Sequence, residues 1–140
     1  MAAEGALGSK STAATMRYTR GFMIARGDIY WLVADENRGS IPAIAHPHVV
    51  VQEDVFNRSR VETVIVCALT TNLKRAHEPG NVLLDEGEGS LEKRSVVVVS
   101  QVSSVEKKKL GERIGQLSPE RVEQILAGLR FQQAAFQRDQ

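Results

Sequence analysis

Two histidines and two threonines are the residues of this chain whose types and spacing could support catalysis. His46 and His48 lie two positions apart, and Thr70 and Thr71 follow the apolar run at residues 64–69. In an extended segment, side chains two positions apart point to the same face. A neutral and a protonated imidazole side by side would supply a general base and a general acid, each worth about 10²- to 10⁴-fold in rate. The alternative is that His48 fills a half-buried strand position and His46 only holds the loop.

Thr70 and Thr71 stand where a predicted strand gives way to a loop at residues 72–81. Side chains at such positions commonly face a cleft. A threonine hydroxyl can donate a hydrogen bond to a phosphate oxygen, or it can bond to the backbone of its own turn. The sequence leaves both roles open.

Basic side chains recur in the segments that flank these residues. They could line a groove that follows the backbone of single-stranded RNA, and they are Arg38, Arg58, Arg60, Lys74 and Arg75. Tyr30 and Trp31 alternate on the first predicted strand, and core packing is the preferred interpretation for Trp31. The histidines and the single cysteine show no zinc-ligand spacing, so the sequence predicts no metal and no cofactor.

Composition limits the chain to one domain. With 140 residues, 42% of them hydrophobic, the sequence can supply one modest core. A formal net charge of +1 excludes a general polybasic binder, so any contact with nucleic acid must come from local clusters.

The single cysteine, Cys67, excludes an internal disulfide framework and fits a reducing cytoplasm. No apolar run reaches the roughly 18 residues that span a bilayer.

The chain is predicted to divide into a disordered tail at residues 1–20, one domain at residues 21–135 and a short tail at residues 136–140. Apolar runs bounded by Gly, Pro, Asn and charged residues predict strands, at residues 29–33, 49–52, 64–69, 82–84 and 96–100. The run at 96–99 does not alternate, which is typical of a strand covered on both faces. We expect a dimer interface to provide the second cover.

One helix is predicted at the C-terminus. Ser118 is a favourable N-cap and Pro119 a favourable first helical residue. An apolar stripe with helical spacing should pack on the sheet; its members are Val122, Ile125, Leu126 and Leu129. Several short strands followed by a terminal helix make the fold class α+β.

Four sequence fragments occur in a recognisable order. Residues 26–47, RGDIYWLVADENRGSIPAIAHP, combine an Arg-Gly-Asp start, an Arg-Gly-Ser turn and a residue–Pro pair that leads into a valine-rich run. The pair Asn57-Arg58, then TVIVCALTTN at residues 63–72 and SVVVVSQV at residues 95–102, complete the set. Together they resemble the MazF/PemK toxins of bacterial toxin–antitoxin systems over residues 26–131.

This resemblance implies an SH3-like small β-barrel of antiparallel strands with a C-terminal helix, assembled as a homodimer. It also implies a cytoplasmic, metal-independent endoribonuclease that cleaves single-stranded RNA, such as mRNA, sequence-selectively. A cognate antitoxin would block the RNA groove with an acidic C-terminal segment, and operator DNA would be bound only by the toxin–antitoxin complex. Thr70 matches the threonine beside the scissile phosphate, and the expected RNA-binding set is Arg38, Ser40, Asn57, Arg58, Arg60, Thr71, Lys74 and Arg75.

The sequence departs from the family pattern at two positions. His46 stands where most relatives carry arginine, and Ile41 stands where they commonly carry glutamate. Arginine is a permanent, bidentate cation, whereas histidine titrates near neutral pH and can move protons itself. Two hypotheses follow. Either the site is rewired around His46, or the chain is a catalytically silent module that binds antitoxin, operator DNA or a protein target.

Overall fold

The computed structural model describes residues 23–33 and 44–138. Within these ranges the chain forms six strands, β1 Asp28–Val33, β2 Ala45–Val50, β3 Thr63–Thr70, β4 Val82–Leu84, β5 Ser95–Glu106 and β6 Arg113–Gln116. It also forms two α-helices, α1 Asp54–Asn57 and α2 Pro119–Arg138, and short 3-10 turns at Leu73–His77, Glu88–Ser90 and Lys107–Lys109. The strands make one antiparallel sheet in the order β4-β5-β3-β2-β1-β6. The predicted α+β class, with a curled antiparallel sheet and a C-terminal helix, is confirmed.

Alternation along the strands gives the sheet two apolar faces. One face packs against α2, with Ile125 buried in the cluster formed by Ile29, Val49, Cys67, Leu69 and Val97. The other face forms a second cluster around Tyr30, Leu32, Val50, Val64, Val66 and Leu110. Cys67 is buried, as the sequence predicted, and burial raises the pKa of its thiol to about 12. Both faces are therefore occupied by the chain itself.

The valine run on β5 shows how the sheet curls. In the pairing of β3 with β5, Cys67 of β3 lies opposite Val102, but the next residue, Ala68, lies opposite Val98. Residues 99–101 therefore form a bulge, which bends a strand and increases its twist. All four valines at residues 96–99 are buried within a single chain. The expectation that a dimer interface covers this run is wrong.

Helix α2 begins as predicted, because the Ser118 hydroxyl oxygen accepts a hydrogen bond from the Arg121 N–H at 3.2 Å. Its path is set by a close approach at Gly128, where an added Cβ would overlap the carbonyl oxygen of Gly80. The helix continues to Arg138, past the predicted domain end at residue 135. No helix among the described residues is long and apolar enough to cross a membrane.

The first strand corrects the interpretation of Trp31. Tyr30 is the buried aromatic residue, with its hydroxyl donating to Asp28 Oδ2 at 3.1 Å, whereas Trp31 is 39% exposed.

Strand β2 begins at Ala45, four residues before the predicted start, and β6 was not predicted. Its four residues, RIGQ, contain a single large apolar side chain, which is too little for a period-2 pattern to show.

Candidate active site at the ends of two strands

An opening in the sheet lies where β2 and β3 separate. Their pairing ends at His48 opposite Ala68. Beyond this point β2 continues to Ala45 paired only with β1, and β3 continues to Thr70 paired only with β5. Residues 45–47 and 69–71 thus face each other without ladder bonds between them. We call this opening the strand-end cleft.

Pro47 explains why the two strands part. The Val51 N–H donates to the Ile65 carbonyl oxygen at 3.0 Å, which shows that Val51 turns its backbone groups toward β3. Because these groups alternate in direction along an antiparallel strand, Val49 and then residue 47 should face β3 as well. Proline has no N–H to donate there, and it is tolerated only where that side of a strand is free.

The register of the paired region relates His46 to Thr70. Val50 lies opposite Val66, Val49 opposite Cys67 and His48 opposite Ala68. Extended two residues beyond the last pair, this register puts the side chains of His46 and Thr70 on the same face of the sheet, one on each side of the strand-end cleft. His46 is exposed and Thr70 is half-buried.

The Thr70 hydroxyl bonds to its own turn and keeps its proton as a donor. Its Oγ1 accepts a hydrogen bond from the Asn72 N–H at 3.1 Å, so it does bond its own turn. An accepted bond uses an oxygen lone pair and leaves the hydroxyl proton available to donate. The turn bond thus orients the hydroxyl without consuming its donor. Thr71, the next residue, is exposed.

His48 is buried, and its Nδ1 lies 2.9 Å from the carbonyl oxygen of His46. A carbonyl oxygen only accepts, so Nδ1 must carry the proton in this bond. Burial lowers the pKa of His48 below 6.5, an effect that the hydrogen bond to the His46 carbonyl partly offsets. A neutral, buried ring fits the structural alternative for His48 better than the predicted role in a paired acid and base, and we remove His48 from the catalytic set.

Asn57 is a structural residue in this fold. It is 3% exposed, and its side-chain oxygen accepts from Gln52 Nε2 at 2.9 Å. Its amide donates to the Gln52 carbonyl oxygen at 2.9 Å and to Asp54 Oδ1 at 3.0 Å. The backbone carbonyl of Asn57 also accepts from the buried Lys107 ammonium at 3.1 Å. No part of this side chain is free for RNA, so the expected RNA contact is withdrawn.

We expect Asn57→Ala to lower the free energy of unfolding by about 2 to 4 kcal/mol, because it leaves buried polar partners in Gln52 and Asp54 unsatisfied. Urea unfolding followed by circular dichroism measures this change. Exposed Arg58→Ala, at the next position, serves as the control and should change stability by less than about 0.5 kcal/mol. An Asn57→Ala protein of unchanged stability that has lost RNA affinity would restore Asn57 to the RNA-binding set.

The predicted basic residues do not gather in one place. Arg58 and Arg60 line a cavity of about 630 Å³ together with Lys107, Lys108 and Glu62. This cavity lies at the Thr63 end of β3, opposite the strand-end cleft, because Thr63 pairs with Glu106. The 8 residues of β3 separate the two ends by roughly 23 Å. Arg58 and Arg60 are therefore distant from Thr70 within one chain.

Lys74 and Arg75 lie in the 3-10 turn directly after the cleft threonines. Asn72 caps this turn, with its Oδ1 accepting from the Lys74 N–H at 3.2 Å. Arg75 forms an exposed ion pair with Glu78 at 3.0 Å, a contact that contributes little and opens easily.

Arg38, Ser40 and Ile41 lie outside the described residues. Among the residues described, no group of three or more His, Cys, Asp or Glu side chains could hold a metal ion.

Sequence reasoning missed the role of Asn72. It both bonds to Thr70 through its N–H and caps the following turn through its side chain. The signal was available, since asparagine is a preferred cap at the start of a helical turn. The pair Thr71-Asn72 therefore marks the point at which β3 ends and the basic turn begins.

The fold and the site define a small α+β protein in which two neighbouring strands separate at their ends, with a histidine on one and a threonine on the other. Residues 25–132 match the family model described as PemK-like, MazF-like toxin of type II toxin-antitoxin system, and the chain belongs to this family. It is 36% identical over 108 residues to endoribonuclease MazF2 of Mycobacterium bovis and to endoribonuclease MazF6 of Mycobacterium tuberculosis H37Rv. Each alignment covers 77% of this chain and 95% of the relative.

Solved structures show the same fold. A MazE–MazF complex from Deinococcus radiodurans superimposes with a TM-score of 0.65 at 18% identity, over 76% of this chain and 92% of that one. A mycobacterial endoribonuclease in complex with its cognate antitoxin gives a TM-score of 0.60 at 24% identity, over 76% and 90% of the two chains. At these identities the similarity shows the fold alone.

Proposed function

We propose that this chain is the toxin of a toxin–antitoxin system and an endoribonuclease that cleaves single-stranded RNA, including mRNA, sequence-selectively and without a metal ion. The observation that carries the proposal is the strand-end cleft, where β2 and β3 separate beyond His48 and Ala68 and leave His46 and Thr70 on its two sides. Relatives that align over 95% of their own length are endoribonucleases. These relatives support the nuclease over the alternative of a catalytically silent module.

The two cleft residues divide the chemistry between them. The ribose 2′-hydroxyl attacks the adjacent phosphorus, which forms a 2′,3′-cyclic phosphate and releases the 5′-oxygen. The His46 imidazole is placed to take the 2′-hydroxyl proton or to protonate the leaving 5′-oxygen. The Thr70 hydroxyl donates to a phosphate oxygen, where negative charge increases in the transition state. Thr71, Lys74 and Arg75 follow Thr70 directly and would hold the adjacent RNA backbone.

We expect the purified protein to cleave a long single-stranded RNA in the presence of EDTA. The 5′ fragment should end in a 2′,3′-cyclic phosphate or 3′-phosphate, and the 3′ fragment should begin with a 5′-hydroxyl, because the nucleophile is the 2′-hydroxyl. Mapping both ends of the products, with His46→Gln protein as the control for contaminating nuclease, measures this outcome. Cleavage that requires added magnesium, or that leaves 5′-phosphate ends, would refute the mechanism.

We also propose that two copies of the chain form a homodimer through an apolar groove. The groove has a volume of about 530 Å³ and lies between α2 and the sheet, lined by Phe56, Ile65, Val102 and Leu129. Phe56, Ile65 and Val102 are exposed in the single chain. Exposed apolar side chains that cluster around one groove are typical of protein interfaces. This surface, and not the valine run of β5, is the proposed contact.

Light scattering at micromolar concentration should give a dimer for the wild type and a monomer for Ile65→Glu or Val102→Glu, because a dimer would bury the introduced carboxylate. Val61→Glu is the matched control, since Val61 is 44% exposed and lies outside the groove. It should remain dimeric. A monomeric wild type, or equal dissociation of all three variants, would rule out the groove as the dimer contact.

The remaining partners follow from this function. A cognate antitoxin with an acidic C-terminal segment would block the RNA site, and operator DNA would be bound only by the toxin–antitoxin complex. Solved relatives in complex with an antitoxin support an antitoxin as partner. The proposed RNA target also places the protein in the cytoplasm.

A further inference from the structure

The hydrogen bond between His48 and His46 lies at the edge of the strand-end cleft. His48 Nδ1 is 2.9 Å from the carbonyl oxygen two residues earlier on the same strand. The ring therefore leans along β2 toward His46. His48 is also the last residue of β2 to pair with β3, opposite Ala68. The small side chain of Ala68 leaves space for the imidazole on this face.

The bond occurs where the backbone has few other restraints. Residues 45–47 pair with β1 alone, and Pro47 offers no N–H. His46 lies opposite Leu32, and its side chain is exposed. Among the described residues, pairing with β1 and the bond from the His48 ring both hold the His46 backbone in place.

The state of the His48 ring is defined by its surroundings. Its Nδ1–H is committed to the carbonyl, and the residues opposite it on the neighbouring strands are Tyr30 and Ala68. The Tyr30 hydroxyl is itself engaged with Asp28 Oδ2. A buried ring in these surroundings acts as a neutral donor with a fixed tautomer.

We propose that His48 is a positioning residue for His46, a proposal that rests on the proposed function of His46. The Nδ1–H of His48 fixes the His46 carbonyl, and with it the peptide plane from which the His46 imidazole extends toward Thr70. His48 does not itself exchange protons with the RNA. The sequence pattern His-Pro-His thus combines a reactive imidazole, a proline that opens the sheet and a second imidazole that steadies the first.

Two substitutions at residue 48 test this role. Asparagine places its Nδ2–H₂ at the same distance along the side chain as histidine Nδ1, so His48→Asn can keep the bond to the His46 carbonyl. His48→Leu keeps apolar bulk and removes the donor. In single-turnover cleavage we expect His48→Leu to be at least about 10-fold slower, because misplacing a catalytic group by about 1 Å can cost 10²-fold. We expect His48→Asn to stay within about 3-fold of the wild type.

The affinity of both variants for an RNA with a 2′-deoxy residue at the cleavage point should be unchanged, which separates positioning from binding. Equal slowing by Asn and Leu would show that the ring takes part in the chemistry and would overturn the proposal. A Leu variant as fast as the wild type would overturn it as well.

A second measurement does not depend on activity. ¹⁵N NMR of the wild type should show His48 protonated at Nδ1 and unprotonated at Nε2 at pH 7. Exchange of the His46 amide hydrogen should accelerate in His48→Leu and not in His48→Asn. If the wild type fails to cleave RNA, the proposed function is wrong. If exchange of the His46 amide hydrogen is unchanged in His48→Leu, the positioning role of His48 is wrong, independently of any cleavage.

Discussion

Replacing His46 with glutamine should lower the single-turnover rate of RNA cleavage by at least about 10²-fold, the usual contribution of a positioned general acid or base. Glutamine keeps the length and polarity of the side chain but cannot transfer a proton. His46 is exposed and lies at a strand end, so its removal should leave the fold intact. The melting temperature provides the check on folding. Equal rates for the wild type and His46→Gln would remove His46 from the chemistry.

The pH dependence distinguishes proton transfer from simple charge. A rate that depends on proton transfer by a side chain varies with pH, so the wild-type rate should vary with pH if His46 is the general acid or base. His46→Arg supplies a permanent cation, the residue that the family resemblance implies at this position. If His46 acts through its proton, the arginine variant should be slow and its rate independent of pH. If only a cation is required, the arginine variant should equal or exceed the wild type, and a protein in which only this variant cleaves would support the silent-module hypothesis.

The local signals in the sequence were strong enough to predict the curled sheet and the C-terminal helix. Ser118 and Pro119 marked the start of α2 because caps act within one helical turn. The end of β3 at Thr70 followed from a continuous apolar run that stops at a polar pair. The opposition of His46 and Thr70 depends on register between strands, and the hydrophobic pattern specifies register where a face is buried.

The features that sequence did not predict are those that depend on distant contacts. Asn57 resembles an exposed loop residue until Gln52 and Lys107, which is 50 positions away along the chain, take up its polar groups. Arg58 looked close to the cleft by sequence order, but β3 carries the chain roughly 23 Å between them. The burial of residues 96–99 from within depends on a bulge that no period-2 pattern reveals. In each case the determining contact is tertiary.

The departure at residue 46 has a structural counterpart in the same strand. An arginine at residue 46 would act through its charge and would need only space beside an anion. An imidazole that transfers a proton must instead be held in one orientation toward the reacting atom. Pro47 removes the ladder donor that would have closed β2 onto β3, and His48 donates to the His46 carbonyl within β2. Strand β2 therefore opens the cleft at Pro47 and restrains its own backbone beside the cleft through His48. This arrangement favours a rewired active site over a decayed one.

Thr70→Val should lower the cleavage rate by about 10²- to 10³-fold, the range seen when one donor to a transition-state oxyanion is removed. Valine matches threonine in shape and suits a strand, but it loses the hydroxyl that accepts from the Asn72 N–H and is free to donate to phosphate. Thr70→Ser retains both functions and should stay within about 10-fold of the wild type. Thr63→Val is the matched control, because Thr63 is exposed and lies at the opposite end of β3. Single-turnover rates at saturating RNA measure all three. A loss of equal size at Thr70 and Thr63, or a Thr70→Val protein that cleaves at the wild-type rate, would exclude Thr70 as the phosphate donor.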